Sequence, residues 1–331
     1  MIITQTPLRI SLAGGGTDIP SYYETRGGGH VVSAAINRYV TVIITARYDD
    51  KIYVHWSSGR EVVDAVKEIQ HELVRETLRL TGIKGGVEIV TLSDIPAEGS
   101  GLGSSSSVTV GLLNACHIYQ NDPVGPGQLA EEACEIEINR CGKPIGKQDQ
   151  YIAAYGGVCS LGFQQGGQVI VERMDLSNRD IQALSANLFL FDTQSSRSAD
   201  SILAAQGKNA PANGAHLDAI RDLAEEAYAA LYKGHCDQIG MILGRSWSLK
   251  KRLADVISNS TIDYMYDRAI NAGALGGKVC GAGGGGFLLV YCRPEQQAAL
   301  LTALLAYPVK RFGIERAGSR VTHNDGRDAW K

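Results

Sequence analysis

The sequence predicts an α+β protein of two domains, residues 1–185 and 186–331. Its 331 residues exceed the roughly 100–150 that are typical of a single domain. Segments rich in β-branched residues, which favour strands, are interspersed with segments whose apolar residues recur at helical spacing. The pattern restarts near residue 185 with the strand NLFLFDT, which places the domain boundary there.

The first half of the chain predicts a sheet accompanied by helices. Residues 2–12 and 38–48 are rich in β-branched residues, and VEIVTL at 87–92 has the same character, so we expect three strands. Apolar residues recur at helical spacing over 61–81, which predicts a helix. Further helices are expected at about 105–119 and in GQLAEEACEIEINRCG, and GGVCSLGF with GQVIVERM predicts a hairpin.

The second half repeats this mixture after its first strand. Apolar spacing predicts helices over 216–232, 236–257 and 262–272. The stretch KVCGAGGGGFLLVYC then contains a strand, and a last helix and strand end near Glu315. No internal repeat is present, so two dissimilar domains are expected.

Composition and charge exclude several classes of protein. The formal net charge of -3 gives no basic surface for nucleic acid. The seven cysteines are scattered and never spaced CxxC, which argues for reduced thiols in a cytoplasmic protein and against disulfides or a zinc site. No apolar run approaches the ~18 residues of a membrane span. We therefore expect neither a nucleic-acid partner nor a membrane partner, while a homodimer stays open.

The stretch PAEGSGLGSSSS at 96–107 lies between a predicted strand and a predicted helix. A glycine-rich turn exposes backbone N–H groups, and the dipole of the following helix adds about half a positive charge, which predicts a phosphate site. The alternative is a flexible loop whose serine only caps the helix. No GxxxxGK[ST] motif is present. The GxGxxG match at 281–286 runs into the strand FLLVY, whereas a dinucleotide fingerprint requires a helix there.

Glu137 is a carboxylate on an apolar helix face. At 100° per residue, Glu137 falls in the middle of one arc formed by Ala130, Ala133, Cys134 and Cys141. A carboxylate buried there is costly unless it is paired or bound to a metal. A salt bridge in the core and a metal ligand both satisfy this condition, so both stay open on the residues alone.

Three motifs together resemble those of the GHMP kinases. They are TPLRISLAGGGTD at 6–18, PAEGSGLGSSSS at 96–107 and KVCGAGGGGFLLVY at 278–291, in the family's order and spread over nearly the whole chain. With EIEINRCGKPIGKQDQYIAAYGG, the first motif is most similar to the D-glycero-D-manno-heptose 7-phosphate kinase branch. The resemblance implies an N-terminal domain like ribosomal protein S5 domain 2 and a ferredoxin-like C-terminal domain.

The resemblance also implies a nucleotide site and a metal site. The implied ATP-binding residues are Gly99, Gly101, Leu102, Gly103, Ser104, Ser105 and Ser106. Ser105 and Glu137 match the family's Mg²⁺ ligands, so the expected cofactors are ATP and Mg²⁺.

Asp149 and Arg9 are the catalytic residues that the resemblance implies. Asp149 matches the family's catalytic aspartate, and Arg9 stands where mevalonate kinase has a lysine and galactokinase an arginine. A guanidinium beside Asp149 would hold the carboxylate ionised and stabilise developing charge. One extra residue between Gly146 and Asp149 leaves open whether Asp149 or Gln150 faces the substrate. On the residues alone, Asp149 could be a solvated loop residue and Arg9 a surface residue.

The segment GGGTD at 14–18 resembles the one with which galactokinase binds its sugar. The implied substrate-binding residues are Gly15, Gly16, Thr17, Asp18, Gly283 and Gly284. Arg197, in a polar loop after a predicted strand, is a candidate for holding a substrate phosphate. Asp18 could instead cap a helix that starts near Pro20. A basic cluster around Trp247 could hold a substrate phosphate or form a solvated helix face. Its members are Arg245, Lys250, Lys251 and Arg252.

The resemblance therefore implies a cytoplasmic, ATP-dependent sugar kinase with a sugar phosphate substrate. It would phosphorylate the anomeric hydroxyl of D-glycero-D-manno-heptose 7-phosphate to the 1,7-bisphosphate, for nucleotide-activated heptose and surface polysaccharide. One alternative is a kinase for a neutral sugar such as fucose or galactose, which needs no phosphate pocket. Another is a sugar sensor without turnover, which needs no catalytic base.

Overall fold

The computed structural model describes residues 1–95, 99–195, 202 and 213–326, which form two sheets with helices. The strands of the first sheet are β1 (Ile2–Ala13), β2 (Gly29–Ala46), β3 (Ile52–Trp56), β4 (Gly59–Val63), β5 (Val87–Ser93), β6 (Val158–Phe163), β7 (Val169–Arg173) and β12 (Arg320–Asn324). The main path through this sheet is β12-β1-β2-β5-β3-β4. β2 is long enough to pair with β5 over one part and with β6 over another, so β6 and β7 extend the sheet from β2.

Helix α3 lies at the centre of this half of the protein. The helices here are α1 (Pro20–Tyr23), α2 (Glu72–Thr81), α3 (Ser104–Tyr119), α4 (Pro126–Cys134), α5 (Gln148–Tyr155) and α6 (Asn178–Asn187). Small and apolar residues cover α3 on nearly every side, and the helix is buried between β1, β2 and the neighbouring helices. α4 runs on into a π-helical turn, Glu135–Arg140.

The second sheet has four strands in the order β11-β8-β10-β9, and each neighbouring pair is antiparallel. The strands are β8 (Leu188–Asp192), β9 (Gly276–Val279), β10 (Phe287–Tyr291) and β11 (Val309–Lys310). The helices are α7 (Gly214–Tyr232), α8 (Cys236–Lys250), α9 (Ser260–Asn271) and α10 (Gln297–Ala303). The elements follow one another as strand, helices, two strands, helix and strand. This order is ferredoxin-like, which confirms the expected α+β fold class. None of the helices in the described ranges could cross a bilayer.

The helix predicted over 61–81 is wrong in its first half. Val62 lies in β4, an edge strand in a hairpin with β3, and a short 3₁₀ turn follows at Val66–Glu68. α2 begins only at Glu72, where the His71 side chain accepts a hydrogen bond from a backbone N–H of the first turn. The apolar spacing is therefore shared by a strand, a turn and a helix that follow one another.

Further features differ from the sequence prediction, among them an early helix end and a strand that was not expected. The helix expected over 236–257 ends at Lys250, and the Asn213 side chain donates to the carbonyl of Leu253 at 2.9 Å in the turn that follows. The strand β12 was not predicted, and it pairs with β1. The last strand in the described residues therefore lies in the first sheet, beyond the division expected at residue 185.

Candidate active site

A cavity of 590 Å³ lies at the N-terminus of α3. It is lined by β1 and the turn after it, by the first turn of α3, by α5, and by residues of α8 and β9. Two glycine-rich segments complete its wall: the first glycine loop, residues 99–103, and the second glycine loop, residues 281–286. The three motifs that carried the sequence resemblance thus meet at one cavity.

The two glycine loops touch each other through their backbones. A Cβ atom on Gly101 would lie 2.5 Å from the carbonyl oxygen of Cys280, and one on Gly286 would lie 2.4 Å from that of Gly99. The serine cap that was the alternative to a phosphate site is not formed: the capping residue of α3 is Gly103, in the left-handed region at φ 75°, with no side-chain cap hydrogen bond. Because no side chain caps it, the first turn of α3 can offer N–H groups to an anion in the cavity.

Arg9 and Asp149 form an ion pair in the cavity. The guanidinium donates from Nε to Oδ1 at 2.6 Å and from Nη2 to Oδ2 at 2.5 Å, a two-point geometry. Nη1 donates to the carbonyl of Gly101 at 2.5 Å. Arg9 is 5% exposed and is not a surface residue, whereas the Asp149 side chain is 21% exposed and lines the cavity. The neighbouring Gln150 is fully buried and points to Glu137 instead.

Glu137 is fully buried in the π-helical turn after α4. Its carboxylate accepts hydrogen bonds from Ser105 Oγ at 2.5 Å, Ser106 Oγ at 2.7 Å and Gln150 Nε2 at 2.6 Å. These three donors are uncharged, so they do not form the core salt bridge that was one alternative. Burial raises the pKa of Glu137, and the charge of Asp149 adds to the rise, while the three hydrogen bonds oppose it.

Ser105 and Glu137 provide two oxygen donors of the kind that Mg²⁺ prefers, but only Ser105 lines the cavity, whereas Glu137 is fully buried. Ser105 is exposed to the cavity and its hydroxyl contacts the Glu137 carboxylate, so both oxygens are at one place. A cation there would offset the cost of the buried carboxylate. Within the described ranges no group of three or more His, Cys, Asp or Glu side chains is suited to a metal. An ion held by Ser105 and Glu137 would have two protein ligands, and Mg²⁺ commonly completes its coordination with phosphates and water.

Asp18 lies in the turn after β1 and is 3% exposed. It accepts hydrogen bonds from the N–H of Gly16 at 3.0 Å and from the backbone and side-chain nitrogens of Gln148, each at 3.2 Å. Burial, followed by the charge of Asp149, raises the pKa of Asp18, and these hydrogen bonds oppose the rise. Asp18 does not cap α1, whose capping residue is Ile19. Its carboxylate lines the cavity and can accept a hydrogen bond from a hydroxyl group.

The basic cluster predicted around Trp247 divides into two parts. Arg245 pairs with Glu226, and Lys251 pairs with Asp263 at 3.2 Å, both at exposed positions, and Arg252 is also exposed. Only Lys250 of the four basic residues lines the cavity. Sequence reasoning missed Lys278, which is 6% exposed and reaches the same cavity from β9. A signal was available, because Lys278 is a lone charged residue in the otherwise uncharged stretch GGKVC.

Most of the other residues that the resemblance implied also line the cavity. They are Gly15, Gly16, Gly99, Gly101, Gly103, Ser104, Ser106 and Gly283. Three others do not: Leu102 is in the core, Gly284 donates its N–H to the carbonyl of Ile257, and Thr17 Oγ1 donates to the carbonyl of Gly14 at 2.8 Å. These three support the loops from behind. Arg197 lies outside the described residues.

Solved structures with the same fold include sugar kinases. A D-glycero-D-manno-heptose 1-phosphate kinase from Bacteroides thetaiotaomicron superposes with a TM-score of 0.80 and 27% identity, covering 98% of this chain and 99% of its own. A galactokinase from Lactococcus lactis, complexed with galactose, has a TM-score of 0.75 at 20% identity, covering 97% and 94%, and shows the shared fold.

Family and sequence comparisons agree with these structures. The N-terminal domain of the GHMP kinases matches residues 61–157, and their C-terminal domain matches residues 211–309. A D-glycero-alpha-D-manno-heptose 7-phosphate kinase from Campylobacter jejuni is 33% identical over 320 residues, which are 92% of this chain and 93% of that protein. The chain therefore belongs to the GHMP kinases and is a phosphotransferase that acts on an alcohol group.

Proposed function

We propose that this protein is a cytoplasmic, ATP- and Mg²⁺-dependent sugar kinase that phosphorylates the anomeric hydroxyl of D-glycero-D-manno-heptose 7-phosphate. The product would be the 1,7-bisphosphate, a precursor of nucleotide-activated heptose for surface polysaccharide. The observation that carries the proposal is the ion pair of Arg9 and Asp149 in the cavity, beside the uncapped first turn of α3.

Asp149 would accept the proton of the attacking hydroxyl. The sugar oxygen forms a bond to the γ-phosphorus while the bond from that phosphorus to the β,γ-bridging oxygen breaks, and the hydroxyl proton passes to the carboxylate. Arg9 holds both carboxylate oxygens and fixes their orientation. Its guanidinium also provides a positive charge where negative charge develops on the transferred group.

The first glycine loop and the first turn of α3 would hold the phosphates of ATP. Backbone N–H groups and the helix dipole favour an anion at this position, and the serine hydroxyls there can add donors. Ser105 and Glu137 would hold Mg²⁺, which neutralises charge on the phosphates when it is bound. Asp18, which lines the same cavity, would accept a hydrogen bond from a sugar hydroxyl.

Two relatives support the choice of a heptose phosphate. One is named for the 7-phosphate and the other for the 1-phosphate, so their names agree on the sugar and differ on the carbon that carries a phosphate. The identities of 33% and 27% support the class of sugar more strongly than the position of its phosphate. The 7-phosphate is favoured because it leaves the anomeric hydroxyl free to react.

A coupled assay of ADP release tests the proposal with free and phosphorylated sugars. We expect the highest kcat/KM for D-glycero-D-manno-heptose 7-phosphate, with a new phosphate on C1 detected by ³¹P NMR. A higher kcat/KM for fucose or galactose would overturn the heptose assignment and indicate a kinase for a neutral sugar. Binding of ATP and sugar without any turnover would indicate a sensor.

A further inference from the structure

Two lysines line the cavity, Lys278 in a buried and Lys250 in a partly buried position, and neither has a carboxylate partner within the described part of the chain. Lys250, the last residue of α8, donates to the carbonyl of Gly281, and Lys278 Nζ lies 3.5 Å from Ser11 Oγ. Burial lowers the pKa of Lys250 to about 8. Burial, together with the charge of Lys250, lowers the pKa of Lys278 to about 7. An ammonium group in such a place needs a negative partner to stay charged at low cost.

Ser246 supplies an uncharged group at the same wall. It lies one helical turn before Lys250 on α8, is 4% exposed and lines the cavity. Among the residues that the structure describes, none forms a hydrogen bond with its hydroxyl. A buried hydroxyl without a partner is costly, and such groups in native proteins usually serve a bound molecule or water. The wall therefore combines positive charge with an unused hydrogen-bond donor.

The charge of the cavity wall formed by Ser246, Lys250 and Lys278 indicates which class of ligand binds there. Two other cations line the cavity, and each has a carboxylate partner: Asp149 pairs with Arg9, and Glu72 pairs with Lys143. Among the described residues, Lys250 and Lys278 are therefore the cations of the cavity that have no ion-pair partner. A phosphate monoester carries about −1.5 to −2 charges at pH 7, which matches two ammonium groups. A sugar hydroxyl would not offset their charge.

We propose that Lys250, Lys278 and Ser246 form a binding site for the phosphate monoester of the acceptor sugar, separate from the site of the ATP phosphates. This proposal rests on the proposed function in one respect, namely that the acceptor is a sugar phosphate. The position of this phosphate site within the cavity follows from Ser11, which contacts Lys278 and lies against the turn at Gly15. That turn leads to Asp18, so the site is on the acceptor side of the cavity.

Neutral replacements of the lysines test the site. Lys250→Met and Lys278→Met keep the side-chain length and remove the charge, and Ser246→Ala removes only the hydroxyl. Lys251→Met is the matched control, because Lys251 follows Lys250 directly but pairs with Asp263 at the surface. Thermal melting of each variant verifies that it is folded. Activity is measured with heptose 7-phosphate and with unphosphorylated heptose, and the KM for ATP is measured in parallel.

We expect each lysine replacement to lower the ratio of kcat/KM for the phosphorylated sugar to that for the free sugar by about 10- to 100-fold, the range of one charge-assisted hydrogen bond. Ser246→Ala should lower the ratio by a smaller factor, and Lys251→Met should leave it unchanged. An equal loss for both sugars with a raised KM for ATP would overturn the proposal, because the lysines would then serve the nucleotide.

A binding measurement separates this proposal from the proposed function. Inorganic phosphate is titrated by calorimetry into the protein saturated with Mg²⁺ and a non-hydrolysable ATP analogue. Phosphate binding by the parent protein that is weakened at least about tenfold by Lys250→Met and Lys278→Met supports the site, even where heptose 7-phosphate is not turned over. Phosphate binding that is absent, or that both lysine variants retain unchanged, would overturn the site whatever the substrate is.

Discussion

Asp149→Asn tests the catalytic assignment most directly. The replacement keeps the size of the side chain and one oxygen acceptor but removes basicity. General base catalysis typically contributes 10²- to 10⁴-fold, so we expect kcat to fall by about two to four decades. Affinities for ATP and sugar should change little, because the loss is confined to the step in which the proton moves.

The geometry also predicts a loss of stability. Both oxygens of Asp149 accept hydrogen bonds from Arg9, whereas an amide offers only one oxygen and turns an N–H group toward the guanidinium. Arg9 is 5% exposed, so its charge would be left poorly paired in a buried position. We expect a cost of roughly 1–3 kcal/mol, below that of a fully buried pair because the Asp149 side chain is 21% exposed.

A double variant separates the two effects. Arg9→Met with Asp149→Asn removes the unpaired cation, so thermal stability should recover relative to Asp149→Asn while kcat stays low. Single-turnover phosphoryl transfer, sugar binding and thermal melting are measured on the parent, both single variants and the double variant. The base assignment is refuted if Asp149→Asn keeps a kcat close to that of the parent. It is also refuted if the double variant regains activity, because Asp149 would then act only by neutralising Arg9.

Four further predictions concern the rest of the cavity. Glu137→Gln should keep the fold and lose most Mg²⁺-dependent turnover, and near-normal activity in a Mg²⁺ titration would contradict the metal assignment. Ser105→Ala should shift the same titration less, because water can replace one neutral ligand. The KM for the sugar phosphate should rise as the pH increases through about 7 to 8, where Lys278 and Lys250 lose their protons, and a KM that is flat over this window would contradict the phosphate site. The charged or titratable groups that face these lysines are Arg9, Asp18 and Cys280. Gly101→Ala should lower the melting temperature more than Gly82→Ala, because both glycines have a positive φ but only Gly101 has a backbone atom in the way, and equal shifts would contradict this.

Much of the fold could be predicted from local patterns. The β-branched residues at 2–12 and the uniformly small and apolar helix at 105–119 are long segments with one dominant signal, and the structure has β1 and α3 there. The prediction of one helix over 61–81 is wrong because the strand, turn and helix in this segment are each short and share one apolar spacing. The short strand Arg320–Asn324 is mostly exposed, so it carries no periodic apolar signal, and only its pairing with β1 defines it.

The candidate site also contains residues that the sequence predicts and residues that only the packing of the chain reveals. The pairing of Asp149 with Arg9 was implied by the family resemblance of the two motifs that contain them, although the residues are 140 positions apart in the sequence. The contact of Ser246, Lys250 and Lys278 with one cavity depends on how the second sheet packs against the first, which no local pattern records. The distinction between Lys250 and Lys251 also depends on this packing, because the two residues are adjacent and the helix's orientation places Lys250 at the cavity and Lys251 beside Asp263 at the surface.

The glycines of the glycine-rich motifs have a second structural role besides leaving room for a ligand, because they also let the two loops pack against each other. Gly101 lies against the backbone at Cys280, and Gly286 lies against the backbone at Gly99, so each loop leaves room for the other. A side chain at either contact would push the two loops apart. It would thereby move α3 and Asp149 away from Lys250 and Lys278, which line the same cavity. This mutual packing explains why the motifs are informative only as a set. A single glycine run is compatible with many turns, but two runs that must touch, beside a strand that carries Arg9, define one cavity with a cation and a carboxylate in fixed places.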